Sequence, residues 1–176
     1  MKKRKMKKNH KITVFTWPWN TGKSTLIENL NKEWSYKVYK EIARQHFDKA
    51  DNMKEFQKTI LEDEKKRLFE LFAYTGKKDI LIDRTFADNL VYLYWNIINW
   101  KIEDEFDFGE LASDIADSID IYDEVILFTE PFKNSNRFED YNSSNFNKLF
   151  ITTIRTIYWD KVKEYKNAQK YLNLNK

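Results

Sequence analysis

The residues best suited to chemistry form a Gly-Lys-Ser-Thr run between a predicted strand, residues 12–15, and a predicted helix, residues 25–30. The run matches the last three positions of the pattern G-x-x-x-x-G-K-[ST], in which backbone N–H groups and a helix N-terminus surround phosphate oxygens. In this interpretation Lys23 contacts the β- and γ-phosphates and the Ser24 hydroxyl binds Mg²⁺. The alternative is a lysine in an ordinary strand–helix turn. The predicted nucleotide-binding residues are Trp17, Asn20, Thr21, Gly22, Lys23, Ser24 and Thr25.

The opening glycine of this pattern is replaced by a tryptophan, Trp17. A bulky side chain hinders the close approach of backbone to phosphate that such a loop needs. The chain has 3 Gly and 6 Trp in 176 residues, whereas average usage would give roughly a dozen glycines. We hypothesise that some or all of the tryptophans are UGA codons of a genetic code that reads UGA as glycine. Glycine would have a physical role at Trp17, Trp19, Trp34, Trp100 and Trp159, and Trp95 is the least diagnostic.

Short apolar runs alternate with amphipathic stretches along the rest of the chain. This order predicts a three-layer α/β/α fold with a parallel sheet of about five strands. Gly76 is expected to end the longest helix, whose apolar side includes Phe72. The later predicted strands span 36–40, 79–83, 124–128 and 162–165, and the predicted helices span 53–74, 86–96, 108–118 and 143–158.

Charged residues follow the predicted strands, at the sheet edge where ligands bind in open α/β folds. Asp83 is expected to orient Mg²⁺ together with Ser24, and Arg84 to neutralise phosphate charge. Glu41 is placed to accept the proton of an attacking hydroxyl. Arg137 lies in a polar segment, residues 134–140, that suits a lid. The predicted catalytic residues are Lys23, Glu41, Asp83, Arg84 and Arg137, and the predicted metal ligands are Ser24 and Asp83.

Each of these residues also has a structural interpretation. Asp83 and Arg84 could form a helix-capping pair, and Arg137 could be a solvated loop residue. Glu41 and Arg44 have the i,i+3 spacing of a surface ion pair. The predicted strand at 124–128 is followed by Thr129 and Glu130, which would face the same edge of the sheet.

Composition indicates one globular domain, residues 11–176, preceded by a basic disordered arm, residues 1–10. The net charge is +3, but six of the first eight residues are Lys or Arg, so the rest of the chain carries −3. Such a domain does not suit a dedicated nucleic-acid surface, although the arm could contact RNA. The sequence has no Cys and no apolar run long enough to span a membrane. The expected compartment is the cytoplasm.

Four segments together resemble the small P-loop kinases. They are residues 14–25, 40–44, 82–92 and 136–139, which read VFTWPWNTGKST, KEIAR, IDRTFADNLVY and NRFE. The chain is most similar to the AAA-type domain of nicotinamide-riboside-kinase-like (NadR-type) proteins, and more loosely to deoxynucleoside and thymidylate kinases. The resemblance implies Mg-ATP as donor, held by Gly22, Lys23, Ser24 and Thr25. It also implies Glu41 and Asp83 near the acceptor hydroxyl and the metal, with Arg84 and Arg137 on phosphates.

These observations favour a kinase that transfers the γ-phosphate of Mg-ATP to a small nucleoside, nucleotide or related metabolite. A polynucleotide 5′-hydroxyl kinase that uses the basic arm is a second possibility. If Trp17 is genuine, a nucleotide-binding regulator without catalysis is a third. The expected partner is a small-molecule phosphate acceptor, and the oligomeric state is left open.

The recoding hypothesis predicts TGA codons at Trp17 and Trp19 in the coding DNA. Sequencing the gene at all six tryptophan positions tests it directly. TGG codons at Trp17, Trp19 and Trp34 would refute it, because those residues would then be tryptophan in the cell.

Overall fold

The computed structural model describes residues 9–17, 22–46, 52–99, 106–130 and 144–174. Within them, strands and helices alternate along the chain. The strands are β1 (Ile12–Thr16), β2 (Lys37–Tyr39), β3 (Ile80–Asp83), β4 (Glu124–Phe128) and β5 (Val162–Tyr165). The helices are α1 (Lys23–Trp34), α2 (Ala43–His46), α3 (Met53–Ala73), α4 (Phe86–Ile98), α5 (Phe108–Ile121), α6 (Ser144–Ile157) and α7 (Ala168–Leu174).

The five strands form one parallel sheet in the order β2-β3-β1-β4-β5. Every residue of β1, β3 and β4 is buried. Continuous apolar runs of this kind suit a sheet that is covered on both faces, because neither face can be exposed to water. The predicted parallel sheet of about five strands is confirmed.

The helices cover the two faces of the sheet. From β1 the chain moves to one edge to make β2, and all later crossovers run in the opposite direction. Right-handed crossovers therefore place α1 on one face and α3 to α6 on the other. The packing agrees, because α1 contacts β2 and β3 while α4 contacts α3, α5 and α6. The result is the predicted three-layer α/β/α arrangement.

The register of the sheet brings the ends of its central strands together. Phe15 of β1 pairs with Asp83 of β3, so β3 ends one position before β1, which ends at Thr16. Tyr39 of β2 pairs with Ile82, one position earlier. The segments after β1, β2 and β3 therefore emerge side by side, where the sequence placed its candidate residues.

Helix α3 carries a buried stripe that includes two charged residues. Its buried positions recur every three or four residues, as expected for one face of a helix. Glu64 and Arg67 lie on this stripe and are almost completely buried. The stripe consists of Gln57, Ile60, Leu61, Glu64, Arg67, Leu68 and Leu71.

Several sequence expectations need correction. Phe72 was expected on the apolar side of α3 but is 43% exposed. Gly76 does not end this helix in a left-handed conformation; Tyr74 ends it in an extended one. Helix α7 was not predicted, although Tyr171 on it packs against Phe15 of β1. Among the described residues, no helix combines the length and apolar character that crossing a membrane requires.

The start of α4 depends on Asp88, which is completely buried. Its carboxylate accepts hydrogen bonds from the Thr85 backbone and, at 2.7 Å, from the Thr16 hydroxyl at the end of β1. The Thr85 hydroxyl in turn accepts a hydrogen bond from the Asp88 N–H, which completes a capping box. Asp88 therefore joins the central strand to the helix that follows β3.

We expect Asp88→Ala to lower the free energy of unfolding by roughly 2–4 kcal/mol, because it removes a cap and leaves a buried hydroxyl unpaired. Asp107→Ala is the matched control, since Asp107 caps α5 at an exposed position. Its loss should be about 1 kcal/mol. Urea unfolding of both variants measures the difference, and equal losses would contradict the assignment.

Candidate active site

Helix α1 begins at a glycine that has a left-handed backbone. Gly22 has φ 76° and ψ 12°, a region that a side chain disfavours. Its carbonyl accepts the first helical hydrogen bond, from the N–H of Leu26 at 2.9 Å. The first N–H groups of α1 have no partner within the helix and are available to bind an anion. The second glycine of the loop pattern thus has a backbone conformation at the start of α1 that favours glycine, and its role in binding a nucleotide stays a prediction.

Lys23 and Ser24 both contact Asp83 at the end of β3. The Lys23 Nζ lies 3.1 Å from Asp83 Oδ1, and both side chains are buried. The Ser24 hydroxyl donates a hydrogen bond to Asp83 Oδ2 at 2.7 Å. A serine hydroxyl beside a carboxylate is a pair of hard oxygen ligands, which suits Mg²⁺. The predicted metal ligands therefore lie together and fit this ion chemically.

Arg84 adopts a backbone conformation that is unusual for arginine. Its φ is 85°, and Arg84 and Ser35 are the two non-glycine residues with positive φ in the described part of the chain. This conformation costs on the order of 1–3 kcal/mol and persists only where the surroundings enforce it. Strain of this kind often marks a functional position.

The Arg84 guanidinium is buried against three side chains. Its Nε donates to Glu41 Oε1, and its Nη1 donates to the Tyr92 hydroxyl at 3.1 Å. Nη1 also lies 3.7 Å from Asp88 Oδ2. The arginine therefore links the segment after β2 to the first turns of α4.

Glu41 is a buried carboxylate surrounded by cations. Oε1 accepts from Arg84, and Oε2 lies 2.7 Å from Nε of Arg44, whose side chain is mostly exposed. Burial opposes ionisation, but the nearby charges of Arg84, Lys23 and Arg44 outweigh it and lower the pKa of Glu41 to about 2. Glu41 is therefore an ionised hydrogen-bond acceptor at neutral pH. The i,i+3 pair with Arg44 exists, but Glu41 itself is not on the surface.

A cavity of about 250 Å³ opens beside these groups. It could admit part of a small molecule next to the Glu41 carboxylate and the start of α1. Ile27 and Val38 supply apolar wall, and the other lining residues are polar or charged. They are Ser24, Glu28, Lys40, Glu41, Arg44, Gln45 and Asp83.

The structure brings together four of the five predicted catalytic residues: Lys23, Glu41, Asp83 and Arg84. The fifth, Arg137, and the loop residues Asn20 and Thr21 lie outside the described residues. Thr25 is exposed in the first turn of α1.

Thr129 and Glu130, which were expected to face the sheet edge where β1, β2 and β3 end, instead bind residues at the end of β5. The Thr129 N–H donates to the Tyr165 carbonyl at 2.9 Å, and Glu130 pairs with Lys166. The segment after β4 therefore continues beside β5.

Trp19 and Trp100 lie outside the described residues, and the other four tryptophans differ in how well their positions fit the glycine hypothesis. Trp17 packs in the core, and its indole N–H has no hydrogen-bond partner among the described residues. A glycine at residue 34 would be expected to end α1 in a left-handed conformation, but Trp34 is the last helical residue and the left-handed one is Ser35. Trp34 and Trp159 are 69% and 77% exposed. Trp95 packs against Phe146 and has no left-handed backbone.

Sequence reasoning missed the buried polar groups that support Arg84. Thr85 and Asp88 belong to the segment that resembles the kinases, but the sequence does not predict the hydrogen bond between Asp88 and Thr16 of β1. The predicted helix over 53–74 is rich in charged residues, so its composition does not distinguish Glu64 and Arg67 from the solvated ones. The usable signal was their spacing, because both fall on the stripe that includes Ile60 and Leu68.

Sequence comparison finds no matching protein-family model and no similar curated protein. Comparison of structures does find relatives. The NadR protein in complex with NR has a TM-score of 0.68 and 17% identity, covering 92% of this chain and 45% of that one. The chain thus spans less than half of the NadR chain.

Two further neighbours are similar over nearly their whole length. Deoxyadenosine kinase from M. mycoides, with products bound, has a TM-score of 0.59 and 17% identity, with 94% of this chain and 97% of that chain covered. Thymidylate kinase from Candida albicans has a TM-score of 0.56 and 10% identity, with 94% and 89% covered. This chain therefore shares its fold with the NadR protein and with two enzymes named as nucleoside or nucleotide kinases.

The low pKa of Glu41 predicts a defined loss of stability in acid. Since the folded-state pKa of about 2 lies below the ordinary value of 4.5, the ionised carboxylate stabilises the fold above pH 4.5. That contribution, roughly 3 kcal/mol at most, is lost as the pH falls toward the folded-state pKa. The free-energy difference between wild type and Glu41→Gln should therefore shrink across this range. Glu33→Gln, at an exposed position on α1, should follow wild type, and a constant Glu41→Gln gap would contradict the assignment.

Proposed function

We propose that this protein is a phosphotransferase that moves the γ-phosphoryl group of Mg-ATP to a hydroxyl of a small nucleoside-like molecule. The observation that carries the proposal is the convergence of two buried ion pairs, Lys23–Asp83 and Arg84–Glu41, beside the N-terminus of α1. The cavity next to them could hold the acceptor. The P-loop kinase fold supports the same reaction class.

The residues have complementary roles in this reaction. The α1 N-terminus and Lys23 would hold the terminal phosphates, and Ser24 and Asp83 would hold Mg²⁺. When bound, Mg²⁺ neutralises charge that develops on the phosphate oxygens. Arg84 supports the Glu41 carboxylate and places a cation beside the reacting groups.

Glu41 would orient the acceptor and accept its proton. The acceptor oxygen forms a bond to the γ-phosphorus as the bond from that phosphorus to the leaving oxygen of ADP breaks. With its low pKa Glu41 is a weak base, but phosphoryl transfer has a loose transition state in which positioning contributes more than early deprotonation. The chief task of Glu41 is therefore to fix the direction of the hydroxyl.

The charges around the cavity favour an acceptor without a phosphate group. The buried cations, Lys23 and Arg84, are already paired with Asp83 and Glu41. Glu28 adds a further negative group to the cavity wall. The two cations of the wall are exposed: Arg44 is already paired with Glu41, and Lys40 faces solvent. A phosphate monoester would bring about two more negative charges next to these carboxylates, which a low-dielectric site opposes. We therefore favour a nucleoside over its monophosphate.

A nucleotide-binding regulator is the second candidate, and Trp17 is the observation that favours it. Its buried indole occupies the first loop position, where a glycine normally allows the backbone to approach phosphate. If the gene encodes tryptophan there, ATP binding is expected to be weak and catalysis slow. Trp17→Gly should then strengthen ATP binding.

The test is a phosphotransfer assay with a panel of nucleosides and their 5′-monophosphates, using the residues that the codons specify at the tryptophan positions. At least one nucleoside should be phosphorylated with a higher kcat/KM than its monophosphate. Glu41→Gln should lower kcat by roughly 10²–10⁴-fold, and Glu33→Gln should leave it unchanged. ATP binding without transfer to any acceptor, both in the protein that carries Trp17 and in the Trp17→Gly variant, would favour the regulator.

A further inference from the structure

The backbone N–H and the backbone carbonyl of Arg84 each make a hydrogen bond, and their two partners lie on different elements. Its N–H donates to the carbonyl of Phe15 at 2.9 Å, which extends the pairing of β1 with β3 by one residue. Its carbonyl accepts from Nη2 of Arg67 at 3.2 Å in a buried environment. Between these two bonds lies the left-handed φ of 85°. Strand β1 therefore binds the backbone of this strained residue through its N–H, and helix α3 binds it through its carbonyl.

The hydrogen bond from α3 comes from a buried ion pair on that helix. Arg67 and Glu64 are 4% and 2% exposed and contact each other. A buried ion pair is often no more stabilising than apolar residues of the same size, because both charges must leave water. The pair is thus poorly explained as a general source of stability, whereas the bond to Arg84 gives it a specific task.

We propose that Arg67 is a positioning residue: by binding the Arg84 carbonyl, it fixes the left-handed peptide that turns the Arg84 guanidinium onto Glu41. This inference rests on the proposed function, since it assigns Arg67 to the same site. A charged donor makes a stronger hydrogen bond than a neutral one, so a guanidinium suits a carbonyl that must be held in a strained peptide.

The direction of the Arg84 side chain depends on this peptide. In an extended or right-handed conformation at residue 84 the Cβ would point elsewhere, and the bond from Nε to Glu41 would be lost. The same movement would take Nη1 away from the Tyr92 hydroxyl, which it reaches at 3.1 Å. Arg67 touches neither Glu41 nor Tyr92 in the contacts described, so its influence on them passes through Arg84.

Glu64 supports Arg67 and supplies the matched control. Burial raises the pKa of Glu64 to about 7, against the opposing effect of the Arg67 charge. Near neutral pH the Glu64 carboxyl is therefore partly protonated, and glutamine has the shape of the protonated form. Glu64→Gln keeps an oxygen opposite Arg67 and is expected to preserve the bond from Arg67 to Arg84, while it removes the charge pairing of the two side chains.

The experiment follows the pKa of the Glu41 carboxyl by ¹³C NMR titration, with the signal assigned from the Glu41→Gln variant. The main variant is Arg67→Lys, which keeps the charge opposite Glu64 but is shorter by one bond and should not reach the Arg84 carbonyl. The second is the charge-neutral pair Arg67→Met/Glu64→Gln. The control is Glu64→Gln alone, and thermal unfolding shows which variants are folded.

In wild type and in the control the pKa should be near 2, as the surrounding cations require. In Arg67→Lys and in the double variant it should rise by about one unit or more, because Arg84 no longer faces the carboxylate. The kcat for phosphotransfer should fall by roughly tenfold or more, while the KM for ATP stays within about twofold of wild type. A stabilising role alone would lower the melting temperature without changing the Glu41 titration.

The outcomes separate this inference from the proposed function. A folded Arg67 variant whose Glu41 titrates as in wild type overturns the positioning role, whether or not the protein is a kinase. A raised pKa in a protein that phosphorylates no acceptor supports the positioning role and refutes the kinase. Failure of both variants to fold would make Arg67 a requirement of the fold itself and would also overturn the proposal.

Discussion

A charged side chain that leaves water is stable only beside a partner of opposite charge, and several such side chains meet at one edge of this sheet. Lys23, Glu41, Asp83 and Arg84 are all less than 10% exposed. They come from three separate stretches of the chain, so their pairing requires the parallel register that brings the ends of β1, β2 and β3 together. The pairing in turn fixes where a ligand can lie, because only the cavity side of the cluster is open.

The support behind this cluster consists largely of groups that never reach the cavity. Asp88 connects the end of β1 to the start of α4, and Arg67 connects α3 to the peptide after β3. Both are almost completely buried and both bind parts of the backbone or its immediate neighbours. A site made of long ionic side chains needs such support, because each rotatable bond that is not fixed would widen the range of distances between the reacting groups.

The sequence predicted the parts of this structure that follow from local pattern. The bounds of β4 and β5 agree with the prediction, since each is a compact run between clear turn signals. Lys23, Ser24 and Asp83 lie together because their positions follow from the loop pattern and from strand ends, whereas their roles toward a nucleotide and a metal stay predictions. The burial of Glu64 and Arg67 was not predicted, because charged residues on a helix are usually solvated. Only their contacts with other elements of the fold show that they are buried.

Other differences have similarly physical causes. Helix α7 is short, and Tyr171 anchors it by ring contacts with β1, β4 and β5 that no local pattern records. At the end of α1, a serine takes the left-handed position that a glycine was expected to fill one residue earlier. A sequence pattern shows that a helix must end with a left-handed residue better than it shows which residue that is. The reason is that a helix end can shift by one residue with little change in energy.

The left-handed backbone of Arg84 limits which residues can replace it during evolution. Glycine or asparagine would relieve the strain at residue 84 but would leave Glu41 without its buried partner, with only the exposed Arg44 beside it. Lysine would keep the charge but retain the strain and lose the fork that reaches both Glu41 and Tyr92. No single substitution improves one property without damaging another, so drift should be slow at this position and faster at the exposed Arg44, which binds the same carboxylate from the solvent side.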